Sequence, residues 1–376
     1  MAGRHIAKLE ALEAGVDVLV ADSTDQASVD VMVGGTHVLL STAGPFALYG
    51  TPVVDACVRF GTHYVDITGE THWARELVAT YHIRAAAQGT RIVPFCGFDS
   101  IPSDLGCFLL AREASAATIR GYFQISGGGF NGGTIATALN TASGVGLRSS
   151  RTAGASPRAR RGGALPGFDE EIGTWTGPFV MSPINTWVVR RSAKLFEEWD
   201  EPYPAGFSYE EFLKFDPPFA PLKAIGATAA LAALGGAIAW GPTRRVITPL
   251  LPKPGQGPSD QKMDAGWFSC DLVGRTSDGR RVRGLVKNQG DAGNRSTVKM
   301  VCEAALALAT HAPGLPRHAG VLTPATAFGH VLVERLRAVG MTILPERHHD
   351  SAQSYPYKPT HGGGVRTAAS DGLPEP

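Results

Sequence analysis

Residues 36–106 decide the fold, because this stretch repeats one pattern three times. A short apolar run is followed each time by a polar segment that contains glycine or proline: THVLLS–TAGPF from Thr36, HYVD–ITGE from His63 and RIVP–FCGFDSIPSD from Arg91. Segments of helix length, residues 51–60 and 73–88, separate the runs. Short buried strands that alternate with helices predict βαβ units and a parallel sheet. Ligands bind beyond the carboxyl ends of such strands, so the three polar segments are predicted to form the site.

The composition indicates a globular α/β protein with room for two domains in 376 residues. The 35 basic and 34 acidic residues leave a formal net charge of +1, which gives no electrostatic footprint for nucleic acid. The five cysteines are scattered without the spacing of a zinc site or of a disulfide framework. We therefore expect no metal site and a reducing, cytoplasmic compartment.

The predicted alternation of strands and helices begins with the first residues of the chain. Arg4 precedes an apolar helical pattern, and a strand that ends at Asp22 follows. If residues 1–115 form a Rossmann-type domain, Arg4 lies where its second strand ends, and there an arginine can pair with the 2′-phosphate that distinguishes NADP from NAD. Asp22 can accept a hydrogen bond from the adenine edge. The alternatives are an ordinary surface arginine and an aspartate that only begins a helix.

Residues 116–345 are predicted to form a second, α+β domain. The strand pattern at residues 267–274 pairs naturally with the pattern at residues 281–287, because the Asp-Gly dipeptide at residues 278–279 is a hairpin signal. A helix is predicted to follow at residues 296–310.

The end of the chain is predicted to contain one more helix and a tail. Thr323 as N-cap and Pro324 at the first helical position begin this helix, which runs to about residue 339 and packs back on the first domain. Residues 346–376 are rich in His, Gly, Ser and Pro, so they are predicted to be a disordered tail.

An apolar segment at residues 224–243 carries no charged side chain and lies between Lys223 and the pair Arg244-Arg245. Its length of 20 residues just reaches that of a membrane span, but its alanine and glycine content is weakly hydrophobic. Three interpretations stay open: a buried or dimer-packing helix, a helix that makes peripheral contact with a membrane surface, and a true span.

Several motifs together resemble the saccharopine dehydrogenase-like oxidoreductases, in particular their trans-acting enoyl reductase branch. The resemblance covers roughly residues 1–112 and 266–345. The motifs are Gly3-Arg4 with Lys8-Leu9, residues 41–46 (STAGPF) with Tyr49-Gly50, residues 64–70 (YVDITGE), residues 97–104 (GFDSIPSD) and residues 320–327 (GVLTPATA).

The resemblance implies a Rossmann domain that binds NADP(H), a second α+β domain, and reduction of a C=C or C=N bond by hydride transfer. For the enoyl reductase branch it implies a lipid or polyketide-derived substrate in glycolipid biosynthesis, close to the inner face of the plasma membrane. Members of this family carry a segment of the Gly-Ala-Thr-Gly-Phe-Thr-Gly kind before the position of Gly3-Arg4. From this we expect an N-terminally truncated Rossmann sheet and weakened NADP binding.

Within this interpretation the strand-end segments supply the site residues. Glycine without a Cβ lets the backbone approach a cofactor closely. Besides Arg4 and Asp22, the candidates for cofactor binding are Thr42, Ala43, Gly44, Pro45 and Gly69. Reduction of an activated double bond also needs a proton donor. The candidates are Tyr49, Glu70, Asp99 and Ser100, although Glu70 and Asp99 can instead cap helices.

Two alternatives to a lipid-linked enoyl reductase remain at this stage. One is a catalytically inactive protein that is either truncated or acts as a membrane-associated scaffold. The other is an amino-acid dehydrogenase of the saccharopine type, which needs a basic pocket for substrate carboxylates, and for this the arginine cluster at residues 151–161 is the local candidate.

Overall fold

The computed structural model describes residues 1–12, 15–127, 165–240, 243 and 257–346. The predicted tail from residue 347 onward and the arginine cluster at residues 151–161 lie outside these residues. Residues 241 and 242 of the apolar segment also lie outside them.

The first part of the chain alternates strands with helices, as the repeated pattern predicts. The strands are β1 (Ala2–Gly3), β2 (Leu19–Val20), β3 (Val38–Ser41), β4 (His63–Asp66), β5 (Arg91–Val93) and β6 (Ala116–Ser126). The helices are α1 (Ile6–Glu10), α2 (Gln26–Gly34), α3 (Phe46–Phe60), α4 (Thr71–Ala87) and α5 (Ile101–Glu113).

The second part is richer in long antiparallel strands. Its strands are β7 (Gly167–Asp169), β8 (Thr174–Pro178), β9 (Ser208–Phe215), β10 (Trp267–Thr276), β11 (Arg281–Gln289), β12 (Gly320–Val321) and β13 (Thr342–Glu346). Its helices are α6 (Ser182–Glu198), α7 (Ala220–Ala239), α8 (Asp260–Ala265), a π-helical turn (Ala292–Ser296), α9 (Thr297–Ala309), α10 (Pro324–Phe328) and α11 (His330–Ala338).

Parallel strands form two separate sheets. One has four strands in the order β12-β5-β4-β3, and the other is the β1-β2 pair. The predicted parallel α/β sheet is therefore confirmed for β3, β4 and β5. The sequence pattern missed β12, which joins the sheet from the far end of the chain because Val321 pairs with Ile92.

Helix α3 begins at Phe46, five residues before the predicted start. Thr51-Pro52 resembles a helix start in sequence, yet Pro52 lies inside this helix. The true start follows Pro45, and the carboxylate of Glu70 accepts hydrogen bonds from the first two helical N–H groups. A partner from another loop therefore sets this boundary.

A mixed sheet of seven strands forms the second layer, in the order β13-β11-β10-β6-β9-β8-β7. The predicted hairpin is confirmed as β10 and β11, whose turn has Gly279 at a φ of +86°. Only β6 and β9 pair in parallel in the described part of this sheet. The sheet is thus of the mixed kind expected for an α+β unit.

Helix α5 lies between the layers, and its side chains are buried on every side from Ile101 to Ala111. It contacts β6, β10 and β11 on one side and α6 and α10 on another. Gly106 makes the approach to β10 possible, because a Cβ there would lie 2.4 Å from Leu272 Cδ1. A helix whose residues are buried on every side must be enclosed by other elements in this way.

The last helices depart from the single helix predicted after Thr323. Thr323 caps α10 through a reciprocal capping box with Thr326, which confirms the predicted start. Gly329, at a φ of +51°, then separates α10 from α11. The earlier helix α9 packs against β3 and β4, and α10 contacts α5 and β5.

Candidate active site

The carboxyl ends of β3, β4 and β5 lie along one edge of the four-stranded sheet. Ser41 pairs with Asp66, and Val65 pairs with Val93. The three segments that follow these strands therefore leave the sheet side by side. We call this edge, formed by residues 42–45, 67–70 and 94–100, the carboxyl edge.

The segment after β3 offers accessible backbone at the carboxyl edge. Thr42, Ala43 and Gly44 are exposed, and Pro45 is half-buried at the N-cap of α3. The nearest group to a Cβ built on Gly44 would be the ring of Phe46 at 3.4 Å, so this surface is open. A flat ligand group can therefore approach the backbone here, and the cofactor role of these residues stays a prediction.

Glu70 ties the segment after β4 to the start of α3. Its Oε1 accepts a hydrogen bond from the Phe46 N–H at 2.8 Å, and its Oε2 accepts one from the Ala47 N–H at 3.1 Å. The side chain is 1% exposed. A carboxylate suits this place, because the N-terminus of a helix carries partial positive charge and unpaired N–H groups. Its predicted role as proton donor stays a prediction, since both oxygens already serve as acceptors.

Asp66 joins the ends of β4 and β5. Its carboxylate accepts hydrogen bonds from the Tyr64 hydroxyl at 2.8 Å, the Thr68 N–H at 2.9 Å and the Phe95 N–H at 3.2 Å. Burial raises the pKa of Asp66 to about 7. Sequence reasoning did not single out Asp66, although a carboxylate at the last position of a wholly buried strand is a usable signal.

Asp99 lies in the segment after β5, immediately before α5. It is half-buried, and within the described part of the chain its carboxyl group has no hydrogen-bond or ion-pair partner. Burial raises the pKa of Asp99 to about 6. Phe95 in the same segment has a φ of +66°, a conformation that non-glycine residues rarely adopt and that is common near functional sites.

Ser100 and Tyr49 differ from Asp99 in their surroundings. The Ser100 hydroxyl is buried and donates to Asn185 Oδ1 at 3.1 Å. Tyr49 is half-buried in the first turn of α3, and Gly69 is half-buried directly before Glu70. The structure thus brings all four proton-donor candidates to the segments of the carboxyl edge or the first turns beyond them.

Arg4 and Asp22 lie together, but on the two-stranded sheet. They follow the neighbouring carboxyl ends of β1 and β2, where Gly3 pairs with Val20. Hydrogen bonds from Thr24 lower the pKa of Asp22, and the charge of Arg4 lowers it further. Arg4 is exposed. The arrangement supplies a guanidinium and a carboxylate at adjacent strand ends.

Two further buried carboxyl groups, Asp104 on α5 and Glu211 on β9, were not predicted. Asp104 accepts hydrogen bonds from the Ala325 N–H at 2.8 Å and from the Ser192 hydroxyl. Glu211 accepts one from the Ser103 hydroxyl at 2.9 Å. Burial raises the pKa of each carboxyl group to about 7. In the described residues, no three His, Cys, Asp or Glu side chains are grouped to hold a metal ion.

The fold is that of the saccharopine dehydrogenase-like oxidoreductases, with a Rossmann-type sheet and a second α+β unit. Saccharopine dehydrogenase (L-Glu forming) from Saccharomyces cerevisiae superposes with a TM-score of 0.51 at 12% identity, covering 92% of this chain and 93% of the yeast enzyme. At this identity the likeness shows the fold alone. No family model matches the chain.

Sequence comparison then defines the family. A trans-acting enoyl reductase of Mycobacterium ulcerans is 35% identical over 375 residues, covering 91% of this chain and 88% of the relative. One of Mycobacterium tuberculosis is 34% identical over 366 residues, covering 87% of this chain and 84% of the relative. The chain belongs to the trans-acting enoyl reductase family, and it is an oxidoreductase that acts on enoyl substrates.

Proposed function

We propose that this protein reduces the carbon–carbon double bond of a lipid or polyketide-derived enoyl substrate with NADPH, in the biosynthesis of a glycolipid or another lipid. The observation that carries the proposal is Asp99, a half-buried carboxyl group without a partner in the described residues, at the edge of the sheet where ligands bind. Family membership supplies the enoyl substrate.

The residues of the carboxyl edge fit the nicotinamide end of the cofactor. Thr42, Ala43 and Gly44 present exposed backbone, and Gly44 lacks the Cβ that would hold a planar ring away. When bound, the dihydronicotinamide supplies a hydride. The N-terminus of α3 does not serve the pyrophosphate in this scheme, because Glu70 already accepts from its first two N–H groups.

Arg4 supports NADPH rather than NADH. It follows the carboxyl end of β1, beside Asp22 at the end of β2. An exposed guanidinium at this position of a dinucleotide fold can bind the 2′-phosphate of NADPH with charge-assisted hydrogen bonds. Asp22 accepts from Thr24 and stays ionised, so it orients the adenosine end without binding the phosphate.

Asp99 serves as the proton donor. Hydride addition to the β-carbon of an enoyl group leaves negative charge on the α-carbon and the carbonyl oxygen, and a proton must then reach the α-carbon. Burial raises the pKa of Asp99 to about 6, so a usable fraction of the carboxyl group holds a proton near neutral pH. Ser100 and Glu70 are less suited, since each already makes the hydrogen bonds described above.

The test is a steady-state assay of NADPH oxidation with a long-chain trans-2-enoyl thioester as the probe. We expect Asp99→Asn to lower kcat by about 100-fold or more, because general acid catalysis contributes about 10²–10⁴-fold. The matched control is Glu76→Gln, an exposed carboxylate on α4, which leaves kcat unchanged. Full activity in Asp99→Asn together with its loss in Tyr49→Phe would assign the donor to Tyr49 instead.

Cofactor choice is tested separately by following nicotinamide fluorescence during titration with NADPH and with NADH. We expect tighter binding of NADPH, and Arg4→Ala should weaken NADPH binding about tenfold while leaving NADH binding nearly unchanged. Equal binding of both cofactors would refute the NADP assignment. Binding of neither would support the alternative of a catalytically inactive protein.

A further inference from the structure

Helix α7, Ala220–Ala239, presents an apolar surface that the rest of the described chain does not cover. It lies against β8 and β9, and Ala224 on its inner side is fully buried. Residues 220–237 are long and apolar enough to cross a membrane by length and composition, yet only 11% of this window is buried. A core helix of a soluble protein would be mostly buried, so α7 is not one.

One set of exposed residues on α7, together with its C-cap Trp240, forms a continuous stripe. Residues 222, 225, 229, 233, 236 and 240 follow the helical spacing of three and four, and all are exposed and apolar (Leu, Ile, Ala, Ala, Gly, Trp). Leu222 is 68% exposed and Trp240 is 64% exposed. We call this stripe the outer face of α7.

The surrounding sequence is selectively basic. Between Asp216 and Asp260 the chain has four basic residues, Lys223, Arg244, Arg245 and Lys253, and none of its 34 acidic residues. The chain as a whole is nearly neutral, with a net charge of +1. In the sequence, α7 thus lies within a stretch that carries basic residues and no acidic ones. This combination of an apolar face and basic flanks suits an anionic lipid surface.

We propose that the outer face of α7 binds an anionic lipid bilayer, with the helix lying in the plane of the interface. The packing of Ala224 against the sheet rules out a spanning orientation for this end, because it keeps one side of the helix on the protein. Leu222, Ile225 and Trp240 then enter the boundary between headgroups and acyl chains, where tryptophan is favoured. This inference goes beyond the proposed reduction and does not depend on it.

A second copy of the chain fits the outer face less well. A helix of 20 residues is about 30 Å long and about 10 Å wide, so the face offers on the order of 300 Å², against about 800 Å² per partner in a stable interface. A two-fold contact with the helices in parallel would also bring Lys223 of one copy near Lys223 of the other. Like charges placed together in this way disfavour the dimer.

The experiment is flotation of the full-length protein with lipid vesicles. We expect binding to vesicles of three parts phosphatidylcholine to one part phosphatidylglycerol, and weaker binding to phosphatidylcholine alone or at high ionic strength. The double variant Leu222→Glu with Ile225→Glu should lower the bound fraction about tenfold or more, since it places charge at the apolar boundary. Quenching by brominated lipids should decrease in Trp240→Phe.

The matched control is Ile83→Glu on α4, where the isoleucine is 82% exposed but lies on a helix that carries the charged residues Arg75, Glu76 and Arg84. Its binding should equal that of the unmodified protein, and thermal unfolding verifies that each variant is folded. Absence of binding to both vesicles would overturn the proposal, as would an equal loss in Ile83→Glu. A stable dimer that the double variant dissociates would assign the outer face to a second copy.

Discussion

The carboxyl groups at two neighbouring strand ends of the carboxyl edge differ in their hydrogen bonding. In the segment after β4, Glu70 accepts from two backbone N–H groups, and Asp66 at the end of the strand accepts from three donors. In the segment after β5, the carboxyl group of Asp99 has no partner in the described part of the chain.

This difference distinguishes carboxyl groups that hold the carboxyl edge together from one that is available to a ligand. A carboxylate whose oxygens are occupied by backbone donors fixes the position of loops and helix starts. Burial raises the pKa of both Asp66 and Asp99, because it disfavours the charged form, but of these two groups only Asp99 has no donor to its oxygens in the described residues. The segment after β4 therefore acts as a clamp for the edge, and the segment after β5 carries the carboxyl group that we propose as the proton donor.

The largest expected effect is on the clamp. Glu70→Ala leaves the Phe46 and Ala47 N–H groups without their charged acceptor, and each such hydrogen bond is worth about 1.5–3 kcal/mol. We expect the free energy of unfolding, measured with urea, to fall by about 3 kcal/mol or more. Glu76→Ala on the exposed side of α4 is the control and should change it by less than about 0.5 kcal/mol. A small loss in Glu70→Ala would show that the clamp is not formed.

The next effect is on the pH dependence of the reaction. Because burial raises the pKa of Asp99 to about 6, its protonated fraction falls as the pH rises through that value. We expect kcat/KM to decrease toward about tenfold per pH unit above pH 6. This limb should be absent from the residual activity of Asp99→Asn. The same limb in the variant would assign the titration to another group.

Stability should depend on pH through Asp66 at the end of β4. Burial raises the pKa of Asp66 from 3.8 to about 7, so the folded protein binds this proton more tightly than the unfolded chain. The stabilisation is complete below about pH 4 and is lost as the pH rises through about 7. In Asp66→Asn, which cannot ionise, the decline in unfolding free energy between these values should be smaller by about 1 kcal/mol or more. Equal declines in both proteins would contradict this.

The sequence pattern was sufficient where neighbouring residues determine the structure. The strands β3, β4 and β5 follow from short apolar runs, each ended by a polar segment with glycine or proline. The hairpin of β10 and β11 follows from Asp278-Gly279. The start of α10 follows from Thr323 and Pro324. Each of these signals lies within a few residues of the feature that it predicts.

The sequence pattern failed where a residue far away in the sequence determines the local structure. The start of α3 depends on Glu70, which is 24 residues from Phe46. Asp104 bonds to Ala325 across 221 residues, and β12 joins β5 from the far end of the chain. Local propensity carries no information about such contacts. The sequence named Asp99 as one of four proton-donor candidates but could not rank the four. Its rank depends on whether its carboxyl group has hydrogen-bond partners, and only the folded structure shows this.

The smallest expected effect distinguishes Asp99 and Ser100, the two residues that precede α5. Ser100→Ala removes the hydrogen bond to Asn185 and should cost about 1 kcal/mol of unfolding free energy. Asp99→Asn removes no hydrogen bond in the described residues, so its cost should be below about 0.5 kcal/mol near pH 7. Urea unfolding of the two variants side by side makes the comparison. If Asp99→Asn destabilised the protein as much as Ser100→Ala, Asp99 would be a helix cap like Glu70, and the contrast between the two segments would not hold.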